Sequence, residues 1–290
     1  MSQYLVCLTF DHDNASAALA RGGNTPTMIS RGDFGIVAVP RILDLLRRHD
    51  IASTWFIPGH TIESYPSCAA RVRDAGHEIG HHGWTHRVPA TLGREGEEEE
   101  LVRGLAAIER LQGQKPRGYR SPAWDLSPHS IDLLLQYGFD YDSSLMGHDY
   151  SPYQARNGDA TPLLEKISFG ADTPLVEMPV HWSLDDFPHF EYYKFDNGIL
   201  PGLMNAGAVL QNWLQDFRYM KQVCDWGVLT YTFHPHVIGR GHRMMMLAQL
   251  IETLQAEGAS FVTMAAAVDQ YRQKWPQGVS LRGQSGIGSG

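Results

Sequence analysis

The chain has 290 residues, of which 43% are hydrophobic and 19% charged, with a formal net charge of −8. This suits a soluble chain with a sizeable core, built as one large α/β unit or two small ones. The negative balance argues against a polyanionic partner such as nucleic acid, and no apolar run reaches the roughly 18–20 residues that span a bilayer.

The opening MSQYLVCLTFDHD has no basic stretch and no small-residue cleavage site, so it reads as a buried strand and not as a secretory signal. Cys7, Cys68 and Cys224 are odd in number and lack CxxC spacing, which fits reduced core thiols of a cytoplasmic protein. Residues 14–35, rich in Gly, Ser and Thr, read as a loop. VPRILDLLRRH then places Val39, Ile42, Leu43 and Leu46 on one helix face. Strands are expected at 52–57, 77–80, 117–121, 139–143, 175–179, 227–233 and 260–264, in addition to the first at 4–10. Between them, EEEELVRGLAAIERLQG puts Leu101, Leu105, Ile108 and Leu111 on one face, with acids leading as a helix N-terminus prefers. Ser127-Pro128 reads as an N-cap and first-turn proline, with Gly138 as the stop. The Met244–Met246 run falls in helical periodicity and is expected to be core.

Repeated strand–helix units imply a parallel sheet, either a barrel or an open doubly wound sheet. Residues 144–173 and 181–203 break the rhythm as long aromatic loops, and loops of that length in a compact domain are usually functional. No linker divides the chain. The expected organisation is one domain over 1–275 and a flexible tail over 276–290.

Four clusters sit at the C-terminal ends of expected strands, where parallel α/β folds gather their active sites. In LTFDHD, Asp11 and Asp13 share one strand face, and two carboxylates there repel unless a cation lies between them. In GHEIGHHGWTHRVP, four histidines crowd together: His77, His81, His82 and His86. His82 and His86 are spaced i, i+4 and would share a face on a helical turn, which makes them the better metal pair. In YRSPAW, Arg120 can neutralise the acids, and Trp124 can line a pocket. In LTYTFHPH, His234 ends an apolar strand, where an imidazole suits acid–base work. Each motif alone has a plainer reading: a loop-capping aspartate pair, loop-capping histidines (the better reading of an isolated HxxxH), a surface arginine and a core histidine. Together they supply every role for hydrolysis of an amide-like C–N bond. Asp13, His82 and His86 hold a divalent metal, Asp11 takes a proton from water, Arg120 holds Asp11 ionised, and His234 protonates the leaving nitrogen.

The ordered motifs FDHD, STWFIPG, GHEIGHHGWTH, GYRSP and LTYTFHP, over about residues 4–270, resemble the polysaccharide deacetylase (NodB-homology, carbohydrate esterase family four-like) superfamily. The resemblance implies a distorted (β/α)7 barrel and hydrolysis of N- or O-acetyl groups with a divalent metal, commonly Zn2+. It carries the metal histidines onto His82 and His86, the base and ligand acids onto Asp11 and Asp13, the arginine onto Arg120 and the acid histidine onto His234. His12 separates an acid pair that is usually adjacent, which leaves the order of base and ligand open. PAW stands where Pro-Tyr or Pro-Phe is usual. ISRGDFG and VHWSLDDFP are similar to an intracellular branch of peptidoglycan-deacetylase-like proteins and cyclic imide hydrolases, which implies a homo-oligomer, a tetramer in that branch. The substrate is then an N-acetylated sugar or a small cyclic imide or ureide, with Trp124 and Trp182 as binding residues. The alternatives are an inactive carbohydrate-binding barrel and a metal-independent, allantoinase-like amidohydrolase.

Overall fold

The computed structural model describes residues 3–195 and 198–283. In chain order, β1 (Gln3–Asp11) leads to α1 (Ser16–Ala20), α2 (Pro26–Asp33) and α3 (Gly35–Arg48). Next come β2 (Thr54–Ile57), α4 (Gly59–Ser64), α5 (Pro66–Asp74), β3 (Glu78–His81), α6 (Arg94–Gln112) and β4 (Gly118–Tyr119). They are followed by α7 (Ser130–Gln136), β5 (Tyr141–Asp142), β6 (Tyr153–Asn157), β7 (Ala171–Glu177), α8 (Asp186–Phe190), β8 (Tyr193–Phe195) and β9 (Gly198–Leu200). The chain closes with α9 (Ala206–Val223), β10 (Trp226–Phe233), α10 (Pro235–Ile238), α11 (Gly241–Ala256), β11 (Ser260–Phe261) and α12 (Met264–Lys274).

The main sheet runs β10-β1-β2-β3-β4-β5-β7, all pairs parallel, with β6 added antiparallel to β7. That path holds the seven parallel strands of a distorted (β/α)7 barrel. The distortion has two visible sources. The first half of β1 pairs with β11 through Leu5 and Val6, while its last three residues pair with β2. Among the described residues no ladder closes the ring between β7 and β10; Val228 N–H donates to Tyr150 O (2.8 Å) and Asp185 bridges Thr232. No helix among the described residues is long and apolar enough to cross a membrane.

Side-chain alternation along β1 explains both the core and the site. Val6, Leu8 and Phe10 point outward into the layer shared with α3, α9 and α11. Leu5 and Cys7 point inward, packing with Phe56, Tyr141, Val176 and Val228 over a plug formed by Met264, Ala267 and Val268 of α12. The inward series continues to Thr9 and Asp11, so the barrel interior changes from apolar to polar toward the strands' C-terminal ends.

Several sequence expectations need correction. The segment 14–35 is not a loop: it forms α1 and α2, with Thr25 capping α2 and Pro26 in its first turn. The stretch 144–173 contains β6, a five-residue strand that pairs antiparallel to β7 with a register shift between Gln154 and Arg156. Helix α7 begins at Ser130, and Ser127 Oγ accepts from His129 N (2.9 Å) in the turn before it. The expected flexible tail is anchored at its start: Val279 N–H donates to Tyr271 Oη (2.8 Å) and Gln154 N–H to Val279 O (2.9 Å). Residues 284–290 lie outside the described residues. In α11, Met246 is buried but Met245 is exposed.

The β5–β7 register sets Asp142 beside Glu177, both fully buried. Glu177 Oε1 accepts from Ser144 N and Leu145 N (2.9 Å each), Asp142 Oδ1 accepts from Ser144 Oγ (2.7 Å), and one oxygen on each carboxyl has no other partner. Burial pushes Asp142 up to about 6 and, with the Asp142 charge, raises Glu177 well above the usual carboxylate range. Folded pKa values above the unfolded ones mean that the native state binds more protons. The pair's contribution to stability is therefore complete below about pH 4 and is lost as pH rises through the folded values. Urea unfolding of wild type should show this decline between pH 5 and pH 8. Glu177→Gln, which keeps the acceptor for the two N–H groups but holds no titrating proton, should flatten it; parallel pH slopes in both proteins would reject the shared-proton account.

Candidate active site

Asp11, Asp13, His82, His86, Trp124, Trp182, Asp185, Phe187 and His234 line one cavity of about 170 Å³ at the C-terminal ends of the strands. Arg120 lies directly behind it, paired to Asp11. All eight residues singled out in the sequence therefore meet at one place.

His82 and His86 do not sit on a helical turn. His82 follows β3, the chain then turns through Gly83, and His86 takes a left-handed backbone at φ 65°. A loop brings their rings to 4.9 Å between centroids. The i, i+4 spacing thus picked out two histidines whose rings do meet, but through a loop and not the expected helical turn. The other two histidines of the run are structural. His77 Nδ1 accepts from Ser53 N at the opposite end of β3 (3.2 Å). His81 points into the helix layer, where Nε2 donates to Leu101 O (3.0 Å) and Nδ1 accepts from Gly83 N (3.1 Å).

His82 Nδ1 donates to Arg120 O at 2.7 Å, which fixes the tautomer and leaves a lone pair on Nε2. That lone pair faces Asp13 Oδ1 at 3.4 Å, and neither atom has a hydrogen-bond partner although both are buried. Two buried acceptors held face to face repel unless a cation lies between them. His86 Nε2 is 3.3 Å from Asp13 Oδ2. One ligand atom from each of Asp13, His82 and His86 lies within 4.8 Å of the others. Two imidazoles and one carboxylate with an open side toward a cavity suit a divalent ion such as zinc, so the residues fit a metal. Burial lowers the His82 pKa against the opposing pull of Asp11 and Asp13, which favours the neutral ligand form. Burial also works to raise Asp13, but His86, His82 and His234 outweigh it and hold Asp13 well below the usual range.

Arg120 is fully buried and donates from all three guanidinium nitrogens. Nη1 donates to Asp11 Oδ1 and Thr9 Oγ1 (2.8 Å each), Nε to Ser143 O (3.1 Å) and Nη2 to Ser143 Oγ (3.0 Å). Its plane lies over Phe56 at 4.3 Å. Trp124 Nε1 approaches Asp11 Oδ2 at 3.4 Å. Ala123 and Trp124 both have left-handed backbones, at φ 56° and 54°, which turns the indole onto the carboxylate. His12, between the two acids, points away from the cavity toward Trp55 and is kept neutral by burial, its pKa lowered to about 4.

His234 meets two acids that the sequence reading left without a role. Asp186 Oδ1 accepts from His234 Nδ1 (2.8 Å) and from His234 N (3.0 Å), and Asp185 Oδ1 lies 3.4 Å from the same ring nitrogen. Burial alone would lower the His234 pKa; Asp185 and Asp186 overcome it and raise it well above the ordinary value. The only sequence signal was the Asp-Asp pair in VHWSLDDFP, whose partner lies 48 residues away in sequence. Aromatic side chains complete the cavity: Trp182 stands half exposed and Phe187 lies 5.2 Å from the His234 ring. Phe190, by contrast, is core and Tyr192 is exposed outside the cavity, while the Tyr193 side chain lies outside what the structure describes.

The polysaccharide deacetylase family model matches residues 2–141, which include the Asp11, Asp13, His82, His86 and Arg120 motifs. The chain is 34% identical over 268 residues to a peptidoglycan deacetylase of Helicobacter pylori, covering 88% of this chain and 91% of that protein. A Mycobacterium smegmatis structure described as a polysaccharide deacetylase superposes with a TM-score of 0.83 at 30% identity, covering 94% and 91% of the two chains. The Puue allantoinase structure superposes at 0.77 with 18% identity, covering 95% and 92%, and shares the fold. With near full-length similarity at this identity, a matched family model and a curled seven-strand path, the chain belongs to the polysaccharide deacetylase family and is a hydrolase of carbon–nitrogen bonds other than peptide bonds.

Proposed function

We propose that the protein removes acetyl groups from an N-acetylated sugar in a metal-dependent hydrolysis, with Asp13, His82 and His86 as metal ligands. The observation that carries this reading is the orphaned Asp13 Oδ1–His82 Nε2 pair, placed in the same cavity as a carboxylate tied to a buried arginine and an imidazole tied to two acids. A divalent ion there, zinc by donor type, supplies Lewis acidity toward the amide carbonyl and lowers the pKa of nearby water.

The chain's own groups perform the proton transfers. Asp11, paired to Arg120, takes the proton from the attacking water as the water oxygen bonds to the acetyl carbon. His234, held protonated by Asp185 and Asp186, gives its proton to the sugar nitrogen as the C–N bond breaks. Acetate and a free amine result, and the proton on Asp11 returns through solvent to restore His234. Trp124 and Trp182 form apolar walls on which a sugar ring can stack.

The small volume of the cavity favours a second reading, hydrolysis of a cyclic imide or ureide, whose ring amide would be opened by the same groups. The two are separated by product. Purified protein incubated with N-acetylated chito-oligosaccharides and peptidoglycan fragments should release acetate. Turnover of succinimide or hydantoin with no acetate from any sugar would replace the first reading with the second.

A further inference from the structure

The metal-ligand loop is held by a residue outside the cavity. Residues 83–85 are held from two helices. From α4, Gly59 N–H donates to Gly83 O (3.1 Å) and His60 N–H to Trp84 O (2.9 Å). From α6, Glu100 Oε2 accepts from Trp84 N (3.0 Å) and Thr85 N (2.7 Å), and Glu100 Oε1 accepts from Thr85 Oγ1 (2.7 Å). One carboxylate thus gathers three donors from the two residues that precede His86. Arg87, which follows His86, brings its guanidinium to 4.0 Å from the same carboxylate.

Two close approaches make this reach feasible. A Cβ at Gly104, one turn after Glu100 on α6, would lie 2.3 Å from His81 Nε2 and 2.8 Å from Gly83 O. A Cβ at Gly59 would lie 2.4 Å from the Trp84 ring. Both helices therefore pack against the loop at distances only glycine permits. The result is a left-handed backbone at His86, a non-glycine residue, which persists only where its surroundings over-determine it.

We infer that Glu100 is a positioning residue for the metal site, fixing the 83–85 loop so that the His86 ring stays on Asp13 beside His82. This rests on the metal-dependent reading above. A hydrogen-bonded support of a metal ligand is typically worth about 10- to 100-fold in metal affinity. Glu97 supplies an internal control. It is equally buried on the same helix one turn earlier, but its carboxylate accepts from Ser127 and Ser130, far from His86 in the chain.

The test is Zn2+ affinity by competition with a chromophoric chelator, with the Co2+ absorption spectrum as a readout of coordination. Glu100→Ala should bind Zn2+ about 10-fold or more weakly, with a weakened or shifted Co2+ spectrum. Glu100→Gln, which keeps a carbonyl oxygen for the loop amides, should recover most of the loss, and Glu97→Ala should bind as wild type does. Thr85→Val removes one of the three donors without touching α6 and should give a smaller loss; it carries the test if Glu100→Ala does not fold. Wild-type affinity in a folded Glu100→Ala or, in its place, in Thr85→Val, or an equal loss in Glu97→Ala, overturns the inference alone. Absence of binding by wild type overturns the metal reading and this inference with it.

Discussion

His82→Ala is expected to abolish stoichiometric metal binding and, with it, hydrolysis. Elemental analysis of the wild-type protein should give about one divalent ion per chain, held by the Asp13, His82 and His86 group. In His82→Ala the remaining ligands are Asp13 and His86, and the loss should exceed the about 100-fold ceiling for removing a mere support of a ligand. The carbonyl of Arg120 would also lose its donor. His77→Ala is the control within the same histidine run: its ring bonds Ser53 at the far end of β3, and its removal should leave the ion in place. Equal metal content in wild type and His82→Ala would refute the assignment.

Asp11→Asn is expected to keep the metal and lose the chemistry. Asp11 is 3.9 Å from His82 Nε2, farther than Asp13, and its other oxygen is committed to Arg120. Removing a general base of this kind lowers kcat by about 10²- to 10⁴-fold. The charge change also leaves the Arg120 guanidinium buried without its counter-ion, and breaking such a pair costs up to about 3–5 kcal/mol. The retained Asn oxygen still accepts one hydrogen bond, so the measured loss of stability should fall below the upper figure. Asp13→Asn is the complement and should release the ion. The opposite pattern, metal lost from Asp11→Asn and kept in Asp13→Asn, would exchange the two roles that the sequence left open.

The clustering of the site was readable because each of its parts ends a strand. An inward-facing series along β1, Leu5, Cys7, Thr9, Asp11, follows from two-residue periodicity alone, and the apolar-to-polar change along it marks where the barrel opens. His234 after GVLTYTF and Arg120 after RGY follow the same rule, and the parallel topology gathers their strands' ends on one side. Spacing alone misplaced what lies in loops. The His82–His86 interval suggested a helix, and the observed loop satisfies the same interval with a glycine turn and a left-handed histidine. Residues 14–35 were rich in turn formers, yet tertiary packing against α3 and α10 makes two short helices of them.

The sequence by itself determined the alternating strand–helix order and the residue types able to bind a metal and move protons. Only the tertiary structure decided the pairings. His234 meets Asp186 across 48 residues, and Asp142 meets Glu177 across a strand register that no local pattern encodes. The physical reason is the same for each. Local periodicity is fixed by backbone geometry within a few residues, whereas the partner of a buried charge is chosen by the whole packed chain, because burial makes an unpaired charge too costly to leave.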